Sequence, residues 1–415
     1  MTASPDHNHL VSAEAIGVDI AALAALTEPD RPWTRRSFTP MFDRGRDWLR
    51  AAFAGAGLTT GIDAAGNLIG RRAGSGAGCG TILLGSHTDT VPDGGRFDGV
   101  AGVAAALEVV RALDRAGVVL RHDLAVVDFL AEEVSGFGVS CIGSRAMAGI
   151  MPADWLERRW QDRSLAEAIA AVGGMPEALG RPLSAPLAGP LRAFLELHIE
   201  QGTILESEGT AIGLVRAIAG ITRIEIIVEG RPDHAGTTPM DGRNDALVSA
   251  APLVEAVRHE AARPREGRHF TGTVGEFEVF PNAANVIPGR VRLLIDARAE
   301  RRSDMEAFIA WAKALAAGVP GASARVISDN PPVPMDADLL AVLAEAADAA
   351  GVSHRPLTSG AGHDAAHVAR LGPAAMVFVP SRGGRSHCPE EWTEIDQIAD
   401  GAEAIARAVI ELDRR

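Results

Sequence analysis

At 415 residues the chain is too long for one ordinary domain, and the length predicts two or three. Apolar residues make up 47% and charged residues 23%, which excludes disordered, collagenous and fibrous classes. A formal charge of −14 argues against a nucleic-acid partner, because phosphate binding needs a basic face, and the absence of tyrosine leaves little surface for stacking bases.

The opening MTASPDHNHL has no basic stretch followed by an apolar core, so no secretory leader is expected. No run reaches the roughly 18–20 apolar residues of a membrane span. Cys79, Cys141 and Cys388 are too few and scattered for a disulfide framework and form no C-x-x-C pair, so a reducing cytoplasm is the expected location.

Residues 81–85 (TILLG) and 124–130 (LAVVDFL) are almost wholly apolar, as expected of strands covered on both faces. Between them, residues 98–114 place Val100, Val103, Leu107, Val110 and Leu113 on one helical stripe. Strand, helix and strand of these lengths predict a βαβ unit and a mostly parallel sheet with helices on both faces. The glycine-dense 74–80 (GSGAGCG) lacks G-x-G-x-x-G spacing and leads into a strand, so it reads as a turn. From about residue 213 the pattern changes. Residues 223–229 (RIEIIVE) and 291–298 (VRLLIDAR) alternate, with a helical stretch at 245–258 between them, which marks antiparallel strands. After the proline cluster at 330–334 the first pattern returns. The expected organisation is an α/β main domain in two parts, 1–212 and 331–415, around a smaller α/β insertion at 213–330.

Most of the twelve histidines need no special role. His7 and His9 sit in a polar tail, and His122, His259, His269 and His354 read as solvated. His87 directly follows an apolar strand, and Asp89 could receive the other N–H of a metal-bound imidazole. Asp98, among glycines at the mouth of the next helix, could bridge two cations; the bland alternative is an N-capping acid. Glu132 and Glu133 end the second strand, where open α/β sheets bind ligands. Their side chains diverge, so one can hold metal while the other takes a proton from water. His198 and His387 each follow or end a strand-like run and would singly pass for ordinary histidines. Two rival constellations are weaker. His363 and His367 have i, i+4 spacing but lack the glutamate of zincins, and 138–143 (GVSCIG) puts isoleucine where a nucleophile elbow needs glycine.

Together, GSHTDT, GGRFDG, AEE, GSRAMAG, LELHIEQG, DHAGTTPM, NAANVIPG, SGAGHDA and HCPEEW resemble the M20 metallopeptidase clan. They point to its amidohydrolase branch of N-carbamoyl-L-amino-acid hydrolases, allantoate amidohydrolases and β-ureidopropionases. The resemblance implies two divalent metal ions, one on His87 and His198, the other on Glu133 and His387, with Asp98 bridging. Zinc, manganese, cobalt and nickel all suit such ligands. It implies Glu132 as general base, Asp89 and His234 as further catalytic residues, and Gln201, His234, Asn285, Arg298 and Gly362 as substrate-holding positions. It also implies that the insertion is a lid and mediates a homodimer; whether His234 or Asn285 serves its own subunit or the partner's stays open. Two departures from the family pattern, Gly136 where arginine is common and Arg216 where charge is rare, bear on substrate choice.

The activity this implies is hydrolysis of a linear amide or ureido C–N bond, with an N-carbamoyl-L-amino acid giving the amino acid, carbon dioxide and ammonia. The expected substrate is a small molecule carrying a ureido or amide group and a carboxylate. Allantoate is the nearest alternative, followed by a dipeptide or N-acyl amino acid; a catalytically inactive metal-binding homologue is the non-enzyme alternative.

Overall fold

The computed structural model describes residues 9–181 and 189–415; His7 lies outside them. The chain divides into two compact units, one of residues 1–216, 335–357 and 363–415, the other of 217–334 and 358–362. The strand Ile212–Ile218 spans the boundary between them in sequence.

At the centre of the first unit four strands run parallel, in the order Asp123–Phe129, Thr81–His87, Leu191–Ile199 and Ala374–Val379. The hairpin Thr59–Ile62 and Leu68–Arg72 extends one side antiparallel. The α/β class with a mostly parallel sheet is therefore as the apolar runs predict. Alternation along each strand sorts its side chains between two layers. Ile82, Leu84, Leu124, Val126, Ala193, Leu195, Val377 and Val379 join a core with the helices Ala13–Ala24, Val100–Arg115, Ala337–Ala350 and Ile395–Arg414. The predicted stripe on Val100–Arg115 lies wholly in this core, and Gly102 lets that helix touch the Leu197 carbonyl, because a Cβ there would collide with it. His87 and His198 fall in the opposite register, where Phe129 and Phe194 meet edge to face at 5.8 Å. A second core gathers Phe42, Leu130, Ile142, Leu165 and Ile169, and the Arg46 guanidinium, in a buried ion pair with Asp128 at 2.9 Å, lies 4.7 Å from the Phe42 ring centre.

The second unit is a four-stranded antiparallel sheet, ordered Phe270–Phe280, Arg290–Ala299, Gly220–Glu229 and Ala322–Asn330. Ile224, Ile226 and Val228 pair with Ile295, Leu293 and Val291, and this apolar face is covered by the helices Ala246–Ala261 and Arg302–Ala317. The other face carries charge. Glu225 accepts from Arg292 (2.7 Å) and Arg325 (2.5 Å), and Arg292 also reaches Glu276 (2.6 Å). Among the described residues no helix is long and apolar enough to cross a membrane.

One histidine departs from expectation. His122 is buried rather than solvated, 2.8 Å from Asp413, whose carboxylate also accepts the Arg121 and His122 backbone N–H groups.

Candidate metal centre

The C-terminal ends of the parallel strands converge here. His87 ends its strand, and the loop that follows returns Asp98 to the entrance of the helix Val100–Arg115. Gly99 makes that return possible: its φ of +64° suits glycine, and a Cβ would press on the His87 ring. Asp98 Oδ1 lies 3.5 Å from His87 Nε2 and 3.3 Å from His198 Nε2, while Oδ2 lies 3.4 Å from His387 Nε2. Glu133 Oε1 completes the second side, 3.0 Å from His387 Nε2. Two groups able to hold a metal ion result, His87–Asp98–His198 and Asp98–Glu133–His387, the ligand atoms of each within 4.8 Å of one another. Asp98 belongs to both.

The electrostatics match a site built for positive charge. Burial works against protonation of His87 and His198, yet Glu132, Asp89 and Asp98 around the first, and Asp98 and Glu196 around the second, outweigh it and raise both. Contacts with Asp98 and Glu133 raise His387 to about 11. Burial pushes Asp98 up, but the three imidazoles prevail and hold it well below the usual carboxylate range. A nitrogen–carboxylate donor set of this kind suits divalent cations.

Glu132 and Glu133 diverge. Glu132 Oε2 lies 3.7 Å from His87 Nε2, and its Oε1 accepts from the Cys141 thiol at 3.3 Å. Burial, then the neighbouring acids Glu133, Asp364 and Asp89, raise its carboxyl well above the usual range despite His87. Glu132 belongs to neither metal-capable group found among the described residues. Asp89 meets His87 Nδ1 twice, through its backbone carbonyl at 3.1 Å and its carboxylate Oδ1 at 3.5 Å. The carboxylate accepts the backbone N–H groups of Glu132 (3.2 Å) and Glu133 (3.3 Å) and the Ser37 hydroxyl (3.2 Å). It therefore orients the acid pair. Ser37 and Cys141 escaped sequence reasoning because their partners are remote in sequence or reached only through the folded loop.

Gln201, at φ +56°, donates Nε2 to Asp98 Oδ2 at 2.6 Å, leaving its buried Oε1 without a hydrogen-bond partner. The rival His363–His367 pair belongs to neither metal-capable group: burial depresses both, His367 to about 3, and His363 precedes the helix Ala365–Val368 instead of sharing it.

The remaining expected substrate residues lie in the second unit. His234 is exposed, and its Nδ1 accepts the Gly236 N–H at 3.0 Å, so a neutral ring carries its proton on Nε2. The exposed Asn285 sits beside it, its carbonyl accepting the Ala235 N–H at 3.0 Å. Arg298 donates to Asp296 and to the Gly360 carbonyl, each at 2.8 Å, and Gly362 is exposed.

Residues 83–411 match the model of Peptidase family M20/M25/M40. The chain belongs to this family. It is 38% identical over 410 residues to an N-carbamoyl-L-amino-acid amidohydrolase of Paenarthrobacter aurescens, covering 97% of this chain and 98% of that one. It is 36% identical over 380 residues to an allantoate amidohydrolase of Bacillus subtilis, covering 88% and 91%. The crystal structure of a hydantoinase/carbamoylase-family amidase from Burkholderia multivorans superposes with a TM-score of 0.88 at 33% identity, covering 98% of each chain. The family expectation drawn from the motifs is thereby borne out. M20 members are metal-dependent, and the described residues of this chain include two candidate metal groups.

The structure accounts for one departure. The Trp160 indole occupies the space a side chain at Gly136 would need, with Phe137 edge-on at 5.9 Å and the Arg36 guanidinium 5.4 Å from the indole centre. Gly136→Arg is therefore expected to displace Trp160 and destabilise the fold by about 1–3 kcal/mol, the usual cost of overpacking. A urea midpoint unchanged from the parent would show that the indole contact is dispensable.

Proposed function

We propose that the protein is a binuclear metal-dependent amidohydrolase that converts an N-carbamoyl-L-amino acid to the free amino acid, carbon dioxide and ammonia. The observation that carries this reading is Asp98, whose two oxygens face separate ligand groups while the unligated Glu132 stands beside them. Two divalent cations, one on His87, Asp98 and His198 and the other on Asp98, Glu133 and His387, would supply Lewis acidity and acidify water at neutral pH. Glu132 takes the proton from the water that attacks the ureido carbonyl and passes it to the leaving nitrogen. Asp89 keeps the Glu132–Glu133 backbone aimed for this division of labour.

The substrate roles follow the resemblance. Arg298 offers a planar fork for the substrate carboxylate, with Asn285 as a further donor and Gly362 leaving room. His234, with its proton on Nε2, donates to the developing oxyanion. Gln201, whose Nε2 donates to Asp98 Oδ2, is a substrate-holding position by the same resemblance.

The chain is proposed to act as a cytoplasmic homodimer. Its three free cysteines suit a reducing compartment. Val248 and Val254 on Ala246–Ala261, and Phe277 and Phe280 on the edge strand Phe270–Phe280, expose apolar surface suited to a second copy.

Ammonia release from N-carbamoyl-L-methionine, allantoate and a dipeptide, each with and without chelator, tests the reading. The carbamoyl amino acid should be the best substrate, and chelation should abolish turnover. Preference for allantoate would move the chain to the runner-up activity, while hydrolysis of the dipeptide alone would overturn the branch. Full activity after verified metal loss would overturn the mechanism.

A further inference from the structure

Glu391 is buried and takes no part in the chemistry above. Its Oε1 accepts the backbone N–H groups of Phe97 (2.8 Å) and Asp98 (3.0 Å). Its Oε2 lies 2.9 Å from Ser386 Oγ, and the same hydroxyl is 2.7 Å from Asp98 Oδ2. Gly95 makes the space, since a Cβ there would run into the Glu391 carboxylate. One side chain thus grips the backbone of the loop that carries Asp98, and its Oε2 shares the single proton of the Ser386 hydroxyl, beside His387, with Asp98 Oδ2.

The two sides of Asp98 depend on this grip unequally. Oδ1 faces His87 and His198, imidazoles buried on neighbouring strands and fixed by the sheet. Oδ2 faces His387, whose side chain is 47% exposed and sits in a loop after the last parallel strand. Ser386 and Gln201 are the donors that set the direction of Oδ2. We propose that Glu391 is a positioning residue that presents Asp98 Oδ2 to the Glu133–His387 side, so that it governs the affinity of the second cation more than that of the first. This rests on the two-cation reading above.

The test is manganese binding by the full chain, followed by isothermal titration and by metal content after dialysis at fixed free Mn²⁺. Wild type, Glu391→Ala, Glu391→Gln and Ser386→Ala are compared. Fewer than two ions on the wild type would overturn the two-cation reading itself and this inference with it. With two ions on the wild type, Glu391→Ala should keep one ion at near parental affinity and bind the other about 10–100-fold more weakly, as when an outer partner of a ligand is lost. Glu391→Gln, which retains an acceptor for the two N–H groups, should fall between, and kcat in both variants should recover at high manganese with KM unchanged. Equal weakening of both ions would assign Glu391 to general packing and overturn the proposal, as would unchanged binding of both. Should Glu391→Ala fail to fold by circular dichroism, Glu391→Gln and Ser386→Ala decide the matter: weakening confined to one ion supports the proposal, and parental binding in both overturns it.

Discussion

Glu132→Gln is expected to bind metal like the parent while losing about 10²–10⁴-fold in kcat, the usual contribution of a positioned proton acceptor. The separation follows from where the side chain stands. Glu132 lies outside both metal-capable groups, so its replacement removes no ligand. Glutamine keeps the volume and the acceptor that meets the Cys141 thiol, and the backbone N–H still reaches Asp89. What disappears is the capacity to accept a proton. That capacity is well developed here, because burial and the surrounding acids raise the Glu132 carboxyl well above its ordinary range. A cation bound beside it would lower the carboxyl again. Removing an ionisable carboxyl whose charged form burial and Glu133, Asp364 and Asp89 already disfavour should also leave thermal stability unchanged or slightly higher. Ammonia release together with metal content makes the measurement, and parental turnover in a metal-loaded variant would remove Glu132 from the acid–base step.

Most of the first unit was legible because its strands are covered on both faces and its helices on one. The runs at 81–85 and 124–130 and the stripe at 98–114 correspond to Thr81–His87, Asp123–Phe129 and Val100–Arg115. The alternation at 223–229 and 291–298 likewise corresponds to adjoining antiparallel strands in register. The ligand candidates could be found because chemistry at strand ends uses uncommon residues in short motifs. Their supports could not. Glu391 meets Phe97 across a separation of 294 residues, and Asp89 holds the Glu132 backbone across 43. Such bonds have no period, and an acid that accepts backbone N–H groups looks, in sequence, like any other acid. The Trp160–Gly136 contact is similar: glycine reveals that space is short, but not which ring fills it. Residues 358–362, far from 217–334 in sequence, join the second unit by packing that no local pattern encodes.

The sharpest consequence of the geometry concerns Asp98→Ala, which should abolish binding of both cations where His387→Ala removes one. A carboxylate shared between two sites is a single point of failure. Its Oδ1 serves the pair His87 and His198, and its Oδ2 serves His387. Without it, the imidazoles lose the acid that most favours charge beside His198, and Gln201 and Ser386 lose their common acceptor. Affinity at each site should therefore fall by more than the roughly 10–100-fold that loss of an outer partner costs, and ammonia release should drop to the level of the chelated parent. His387→Ala leaves His87, Asp98 and His198 in place, so one ion should remain at near parental affinity. Metal analysis after dialysis at fixed free manganese distinguishes the two variants directly. Two ions retained by Asp98→Ala at parental affinity would mean that Asp98 bridges nothing, and the shared-acid architecture would have to be abandoned.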